Sequence, residues 1–304
     1  MEIRIADTEL LDKMQQQKLR IMKRMKLLLQ IIFLLIVINL NAQDITVLSY
    51  NIRLDVASDS LNRWDNRKDF LIGQLNFYEP TVFGVQEGLL HQLEEIKNGM
   101  PGYSYIGKGR EDGLKNGEFS AIFYNPEKLE LMEENTFWLS ETPEIPSKGW
   151  DAAIKRVCTY GLFKTKSGSQ NFWVFNTHFD HIGEEARKES VFLIIEKIRE
   201  LNTQDYPVIL TGDLNLEPDH PSILLLSSAM QDTHMLAGDK AFGPDGTFNG
   251  FNFSAPITRR IDYIFLSKTG FQLLKYAILS DSKDLRYPSD HFPVLAKLAI
   301  TETE

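Results

Sequence analysis

Acidic, amide and imidazole residues recur in this sequence where apolar, β-branched runs end. The run 45–50 leads into Asn51, 81–86 into Glu87, and 172–177 into His178. The run 207–212 delivers Asp213 and, two residues on, Asn215. Asp262 stands at the start of 261–266, and Asp290-His291 precede 293–300. Singly, each has an ordinary explanation. Asp213-Leu214-Asn215 after Gly212 reads as a turn, because Asp and Asn bond their own backbone and tolerate left-handed conformations. Glu87 reads as a cap for a helix starting near Leu89, Asp262 as the ion-pair partner of Arg259 or Arg260, and His178 as a partly buried histidine. Turns and caps do not explain the recurrence at one strand end after another. A rigid sheet that aims side chains from its strand ends into one crevice does.

Carboxylates, amides and two imidazoles make up this set, without thiolates. The single cysteine, Cys158, leaves neither a disulfide framework nor a multi-cysteine zinc site. Oxygen donors of this kind suit a hard divalent cation, Mg²⁺ first and Mn²⁺ or Ca²⁺ next, which keeps positions for water and a phosphate oxygen. A His paired with an Asp supplies a proton acceptor, or an imidazolium that faces a phosphate. Together these parts specify metal-assisted hydrolysis of a phosphate ester. The spacing His178-x-x-His181 also fits two zinc ligands, but residues three apart at a strand end point to opposite faces. No H-E-x-x-H helix accompanies them, so zinc is set aside. A Gly-rich stretch, 107–113, carries Lys108 and Arg110 and reads either as a phosphate-facing loop or as a solvated hairpin connection. Arg110 and Arg156 are the candidate clamps for a substrate phosphate. Trp150 and Phe251 are candidates for stacking on a ring, although core packing is the more frequent use of such residues.

These residues need a frame. The runs 45–50, 81–85, 120–124, 172–176, 207–211, 261–266 and 293–300 read as strands, mostly buried. Trp64–Tyr78 and Glu184–Leu201 read as amphipathic helices, the second with Val191, Ile194, Ile195 and Ile198 on one face. Strands alternating with helices early, then strand pairs such as 120–125 with 128–131, imply a mixed α/β sandwich. With no repeat or linker-like stretch, residues 43–304 are expected to form one domain of about 260 residues. Residues 232–258, rich in Gly, Asn, Asp and Phe, lack periodicity and read as a functional loop.

The chain of 304 residues is 43% apolar and 25% charged, which excludes disordered and low-complexity classes. Its net charge of −9 hides an asymmetry. Seven of the 33 Lys/Arg and four of the 42 Asp/Glu fall in residues 1–42, which leaves −12 for the rest. Such a body has no general attraction for phosphate backbones or anionic membranes, so an anionic substrate must be held by local positive charge or a metal. At the N-terminus a basic stretch, 20–26, precedes an apolar run, 27–40, that ends at Asn41-Ala42-Gln43. Residues 1–42 are therefore expected to be an N-terminal extension plus a secretory signal. The run falls short of the roughly 20 residues that span a bilayer. An exported protein is expected, periplasmic or extracellular, without stable membrane insertion after cleavage.

Taken in order, Ser49-Tyr50-Asn51-Ile52-Arg53, Gln86-Glu87, Asn176-Thr177-His178-Phe179-Asp180, Gly212-Asp213-Leu214-Asn215, Arg260-Ile261-Asp262-Tyr263-Ile264 and Ser289-Asp290-His291-Phe292-Pro293 resemble a known set. It is that of the endonuclease/exonuclease/phosphatase superfamily, the deoxyribonuclease I-like enzymes. The resemblance covers about residues 44–300. It implies an α/β fold, a four-layered sandwich of two mixed sheets packed face to face with helices outside. It also implies roles. Glu87 would ligate the metal, with Asn51 close by and Asp290 as a further acidic contributor. Asp213 would position or deprotonate the attacking water, and Asn215 would hold a phosphoryl oxygen. His291 would act at the phosphate, oriented by Asp262, and His178 would meet the developing negative charge.

The function expected is thus an exported phosphoesterase, dependent on Mg²⁺ or Mn²⁺, working by in-line attack of an activated water. The acidic body and the lack of a basic stripe favour a small phosphorylated metabolite, sugar or nucleotide as substrate over nucleic acid. A secreted metal-dependent nuclease or phosphodiesterase is the alternative, and a non-catalytic binding module on the same fold is the third reading. A monomer is expected.

Overall fold

Strand pairing divides the chain into two sheets of six strands. The first runs β11 (Phe271–Ile278), β12 (Val294–Ile300), β1 (Asp44–Asn51), β2 (Val82–Gly88), β4 (Phe119–Tyr124), β3 (Ser104–Ile106). The second runs β5 (Leu129–Trp138), β6 (Val157–Thr165), β7 (Asn171–His178), β8 (Val208–Asp213), β10 (Asp262–Leu266), β9 (Gln231–Asp232). Each sheet holds one parallel pair near its centre, β1–β2 and β7–β8, and is otherwise antiparallel. The computed structural model describes residues 14–30 and 44–301. Residues 14–30 are helical (α1) and belong to a unit, Met1–Ala42, separate from Gln43–Glu304. Most of the apolar run of the expected signal lies outside the described residues. Among the described residues, no helix is long and apolar enough to cross a membrane.

Strand side chains alternate between the two faces of a sheet, and the alternation sorts the core into layers. In β1, Ile45 and Val47 face the opposite sheet, while Leu48 and Tyr50 face outward onto helices α2 (Trp64–Tyr78) and α3 (Leu90–Gly99). In the second sheet, Phe172 and Val174 of β7, Ile209 of β8 and Ile264 of β10 face inward. Trp173, Phe175, Leu210 and Phe265 meet α4 (Glu184–Leu201) and α5 (Pro221–Ala229) through Val191, Ile194, Ile223 and Leu226. The order is helix, sheet, sheet, helix: the four-layered sandwich, with both sheets mixed.

The structure extends the sequence reading at the edges. β5 runs ten residues rather than the short 128–131 segment, and β11 carried no strong signal. Both are edge strands with solvent-facing residues such as Glu130, Glu133 and Lys275, so the apolar run that marks a buried strand is missing. Residues 232–258 are not wholly irregular: they begin within β9 and include α6 (Thr233–Ala237) and a short 3-10 turn at Gly238–Lys240. The rest of that stretch folds back against the 290–292 segment, with Phe292 N donating to Thr247 O and Asn249 N to Asp290 O.

Candidate active site

Toward one end of the sandwich the inward-facing rows change from hydrocarbon to polar. Continuing the alternation, β1 ends inward on Asn51, β7 on His178 and β8 on Asp213, and β10 begins inward on Asp262. Register then sets these side by side, with His178 opposite Asp213 and Asp213 opposite Asp262. One layer deeper, Asn176 ties the sheets together. Its Nδ2 donates to the carbonyls of Val85 and Ala121, and its Oδ1 accepts from Gln86 Nε2 (2.7 Å) and Thr211 Oγ1 (3.0 Å). Two members depart from strand parity. Glu87 would follow Val85 outward, but the β2–β4 register shifts between Val85 and Gly88, and Glu87 adopts a left-handed φ of 62°, which turns its carboxylate into the crevice. His291 lies before β12 on a segment held by Ser289 Oγ, which donates to Asn51 O at 2.7 Å. Buried Arg67 donates to the carbonyls of Ile52, Arg53 and Pro288, so one guanidinium clamps the segments that carry Asn51 and Asp290.

The centre of the arrangement is Asp213 Oδ2. Asn51 Nδ2 donates to it at 2.9 Å, His178 Nε2 lies 3.4 Å away and His291 Nε2 3.8 Å. Asn51 Nδ2 also donates to Glu87 Oε1 at 3.0 Å, so a single amide bridges carboxylates from the two sheets. Its Oδ1 accepts from Arg53 N, and it therefore presents nitrogen, not a ligand oxygen, to the acidic groups. His291 Nδ1 is 2.8 Å from Asp262 Oδ2, and Asp262 is fully buried. Arg260 bonds Asp232 instead, which answers the ion-pair reading of Asp262. Asn215 N donates to Asp213 Oδ1 (2.9 Å), so the turn expected there is present and also delivers the Asn215 amide to within 3.1 Å of His178 Nε2. Glu87 caps no helix. Its Oε2 accepts from Leu54 N, and the N-cap of α3 is Leu89.

Burial and charge set the protonation states. Burial, reinforced by Asp262, pushes Asp213 up to about 7. Burial alone would pull His291 down, but the carboxylates of Asp262 and Asp213 outweigh it and hold the ring well above its ordinary value, as an imidazolium. Burial and the Arg156 charge drive His178 well below its ordinary value, so it stands as a neutral imidazole. Burial lifts Asp290, helped by Glu87. Glu87 itself is drawn down against burial by Asn51, His291 and the Leu54 amide.

Glu87, His178, Asp213, Asn215, Asp290 and His291 line a crevice of about 340 Å³ together with Arg53, Glu118, Arg156, His181 and Phe248. Larger depressions beside Arg67 and beside Tyr206 bring no imidazole together with carboxylates. Arg156 reaches the crevice. Arg110 stands one position behind it, its guanidinium taken up by Glu118 at 2.7 Å. The 107–113 stretch is thus a docked loop rather than a cradle of free cations. His181 lines the same crevice as His178, contrary to the opposite faces expected, because β7 ends at His178 and the following turn, closed by Ile182 N and Gly183 N donating to Asp180, brings His181 back. Phe251 packs near the Arg67 guanidinium, and neither it nor Trp150 lines the crevice. Arg53, Glu118 and Thr247 carried no sequence assignment. Arg53 closes the first quoted motif without a role of its own there, and Thr247 is a backbone anchor whose Oγ1 accepts from Ile261 N and Asp262 N.

The donor set fits a hard divalent cation. Glu87 and Asp290 flank one cation, the Arg53 guanidinium, at 3.9 Å from its Nη1 and 3.8 Å from its Nε, and carboxylates with no sulfur suit Mg²⁺ or Mn²⁺. Asp213, Asp262 and His291 form a second grouping, with ligand atoms within 4.8 Å of one another, but two of its three members already satisfy each other in the 2.8 Å pair.

A mixed double sheet with carboxylates, amides and imidazoles gathered where its inward rows turn polar defines a class of phosphoester hydrolases. Residues 48–291 match the model of the endonuclease/exonuclease/phosphatase family, and the chain belongs to that family. Two solved structures from Bacteroides thetaiotaomicron are similar to it. One is an endonuclease/exonuclease/phosphatase family protein, 41% identical with a TM-score of 0.81 over 86% of this chain and 99% of that one. The other is a mannosyl-6-phosphatase, 42% identical with a TM-score of 0.79 over 84% and 99%. A probable RNA exonuclease of Saccharomyces cerevisiae is 28% identical over 60% of this chain and 40% of its own length. The chain spans between 30% and 61% of the curated relatives it matches.

Proposed function

We propose that this chain is an exported phosphatase that hydrolyses the phosphomonoester of a small metabolite with a divalent cation bound. The observation that carries the reading is the convergence of Asn51, His178 and His291 on one oxygen of Asp213, beside the Glu87–Asp290 pair, in a crevice of about 340 Å³. That volume suits a small ligand. Asp213, poised near neutrality, takes the proton of the attacking water. The His291 imidazolium, held by Asp262, faces the charge that accumulates on the phosphoryl oxygens, and the Asn215 amide and His178 flank it. Glu87 and Asp290 would hold Mg²⁺ or Mn²⁺, which when bound neutralises phosphoryl charge and orients the phosphate. The 42% identical mannosyl-6-phosphatase supports a monoester of a small molecule.

The similarity to the probable RNA exonuclease of yeast supports a second reading, a nuclease acting on phosphodiesters. Hydrolysis of p-nitrophenyl phosphate and bis-p-nitrophenyl phosphate, with Mg²⁺ and with EDTA, separates the two. Mg²⁺-dependent activity on the monoester is expected. Activity on the diester alone replaces the phosphatase with the nuclease, and silence on both, with RNA intact, favours a binding module. Export rests on the sequence of residues 20–42 and is checked by fractionating cells that express the full chain. Retention in the cytoplasm would remove it.

A further inference from the structure

The crevice has a wall that the proposed chemistry does not use. Glu118, just before β4, and Arg156, just before β6, line it with His181. Glu118 is gripped at both oxygens by Arg110, Nη1 to Oε2 and Nη2 to Oε1, each at 2.7 Å. Arg110 is itself fixed by its backbone: its N donates to Glu118 O, and its O accepts from Trp138 Nε1 at 2.8 Å. Arg156 is 95% buried, yet its side chain makes one hydrogen bond, from Nη2 to His181 Nδ1 at 3.3 Å. Its Nε, 3.8 Å from Asp180, has no hydrogen-bond partner among the described residues. A buried guanidinium with open donors, a carboxylate with open lone pairs and an imidazole are thus held side by side. Glu118 has no role in the sequence reading, and His181 enters it only as a zinc ligand that is set aside.

Each cation here has a carboxylate beside it: Arg110 is bonded by Glu118, and Arg156 has Asp180 at 3.8 Å, so little positive charge is left over for a further anion. A second phosphate entering here would meet the Glu118 carboxylate, and the open donors of Arg156 would have to offset both that repulsion and the desolvation of the anion. A neutral group carrying several hydroxyls fits: each hydroxyl both donates and accepts, matching Glu118 as acceptor and Arg156 as donor. Aromatic surface is scarce. Phe248 is the aromatic ring among the crevice-lining residues, and it is engaged edge-on with His291 and under Arg259.

We propose that Glu118, Arg156 and His181 form the subsite for the leaving group, and that it selects the monophosphate of a neutral polyol, a sugar, over substrates bearing further phosphates. The proposal rests on the phosphatase reading above and sharpens its substrate. The test measures kcat/KM of the Mg²⁺-loaded protein for a hexose 6-phosphate, for phenyl phosphate, which lacks hydroxyls, and for a hexose 1,6-bisphosphate. The unaltered protein should prefer the hexose monophosphate to both. In Glu118→Gln the ratio of hexose phosphate to phenyl phosphate should fall about tenfold, the equivalent of one hydrogen bond to a charged group, and the bisphosphate should gain relative to the monophosphate. Arg156→Lys, which keeps the charge and loses the fork, should lower the same ratio and serves if Glu118→Gln does not fold. A ratio within twofold of the parent in a folded variant overturns the subsite, as does a parent that prefers the bisphosphate or phenyl phosphate. Absence of hydrolysis of every monoester by the parent would instead overturn the phosphatase reading beneath it.

Discussion

Replacing Asp213 with Asn should make the protein more stable at alkaline pH while removing its activity. The Asp213 carboxyl is raised from 3.8 to about 7, chiefly by burial and then by Asp262. A carboxyl raised in the folded state stabilises fully below its unfolded value, and that contribution is lost as pH rises toward the folded value, here between about 4 and 7. At about 1.4 kcal/mol per pKa unit, the two units between pH 5 and 7 correspond to about 2–3 kcal/mol. Asn cannot titrate, so it escapes this loss. It gives up something constant instead: Asp213 accepts from Asn51 Nδ2 and Asn215 N through its two oxygens, and the amide nitrogen of Asn can serve neither, a loss of about 1 kcal/mol. At pH 5 the variant should therefore match the parent or fall slightly below it, and by pH 8 the balance should have swung about 2–3 kcal/mol in its favour. Urea unfolding of both proteins in EDTA at pH 5 and pH 8 measures the swing directly, with equal m-values confirming comparable unfolded states. Turnover with Mg²⁺ should drop by at least about 10²-fold, because an amide accepts no proton. A difference that stays constant from pH 5 to pH 8 would show that Asp213 is an ordinary carboxylate and would remove the reason for assigning it as the base.

His291→Ala should lower kcat about 10²-fold or more in a protein that still folds; a parental rate would exclude the ring from the reaction. Asp262→Asn removes the carboxylate that holds the His291 imidazolium, so the alkaline limb of the kcat/KM profile should move to lower pH, and a limb that stays in place refutes the pairing. Glu87→Gln should raise the Mg²⁺ concentration for half-activation at least about tenfold, with unchanged activation counting against a ligand role. A Cβ on Gly84 would sit 2.3 Å from Asn176 Oδ1 and Thr211 Oγ1, in the polar tie between the sheets. Gly84→Ala should therefore destabilise by roughly 2 kcal/mol, and an unshifted urea midpoint would mean the tie yields freely.

Half of the candidate site follows from counting by twos. Once Ile45 and Val47 are buried inward, Asn51 must face inward too. The same parity carries Phe172 and Val174 to His178, and Ile209 to Asp213. Those residues were legible as polar groups closing apolar runs, and alternation, a local rule that needs no partner, accounts for the face they take. Glu87 broke the rule through a left-handed φ and a shifted register, so only its neighbours in sequence pointed to it. The placement of Arg110 behind Glu118 was not legible either: both lie in a loop with no period, and which of two nearby side chains reaches a crevice depends on how that loop docks against Trp138 of the other sheet.

What the amino-acid order determined by itself was the inventory: oxygen and imidazole groups at strand ends, an acidic body, and the face on which most of those groups would emerge. What only the folded chain decided was adjacency. His178, Asp213 and Asp262 come from strands up to 84 positions apart along the chain and share one row because the sheet register sets them side by side. Asn51 meets Asp213 across 162 positions because two sheets pack face to face. Alternation is enforced by neighbouring peptide units and can be read one strand at a time, whereas register and sheet packing are settled by long-range burial among residues that no local pattern connects.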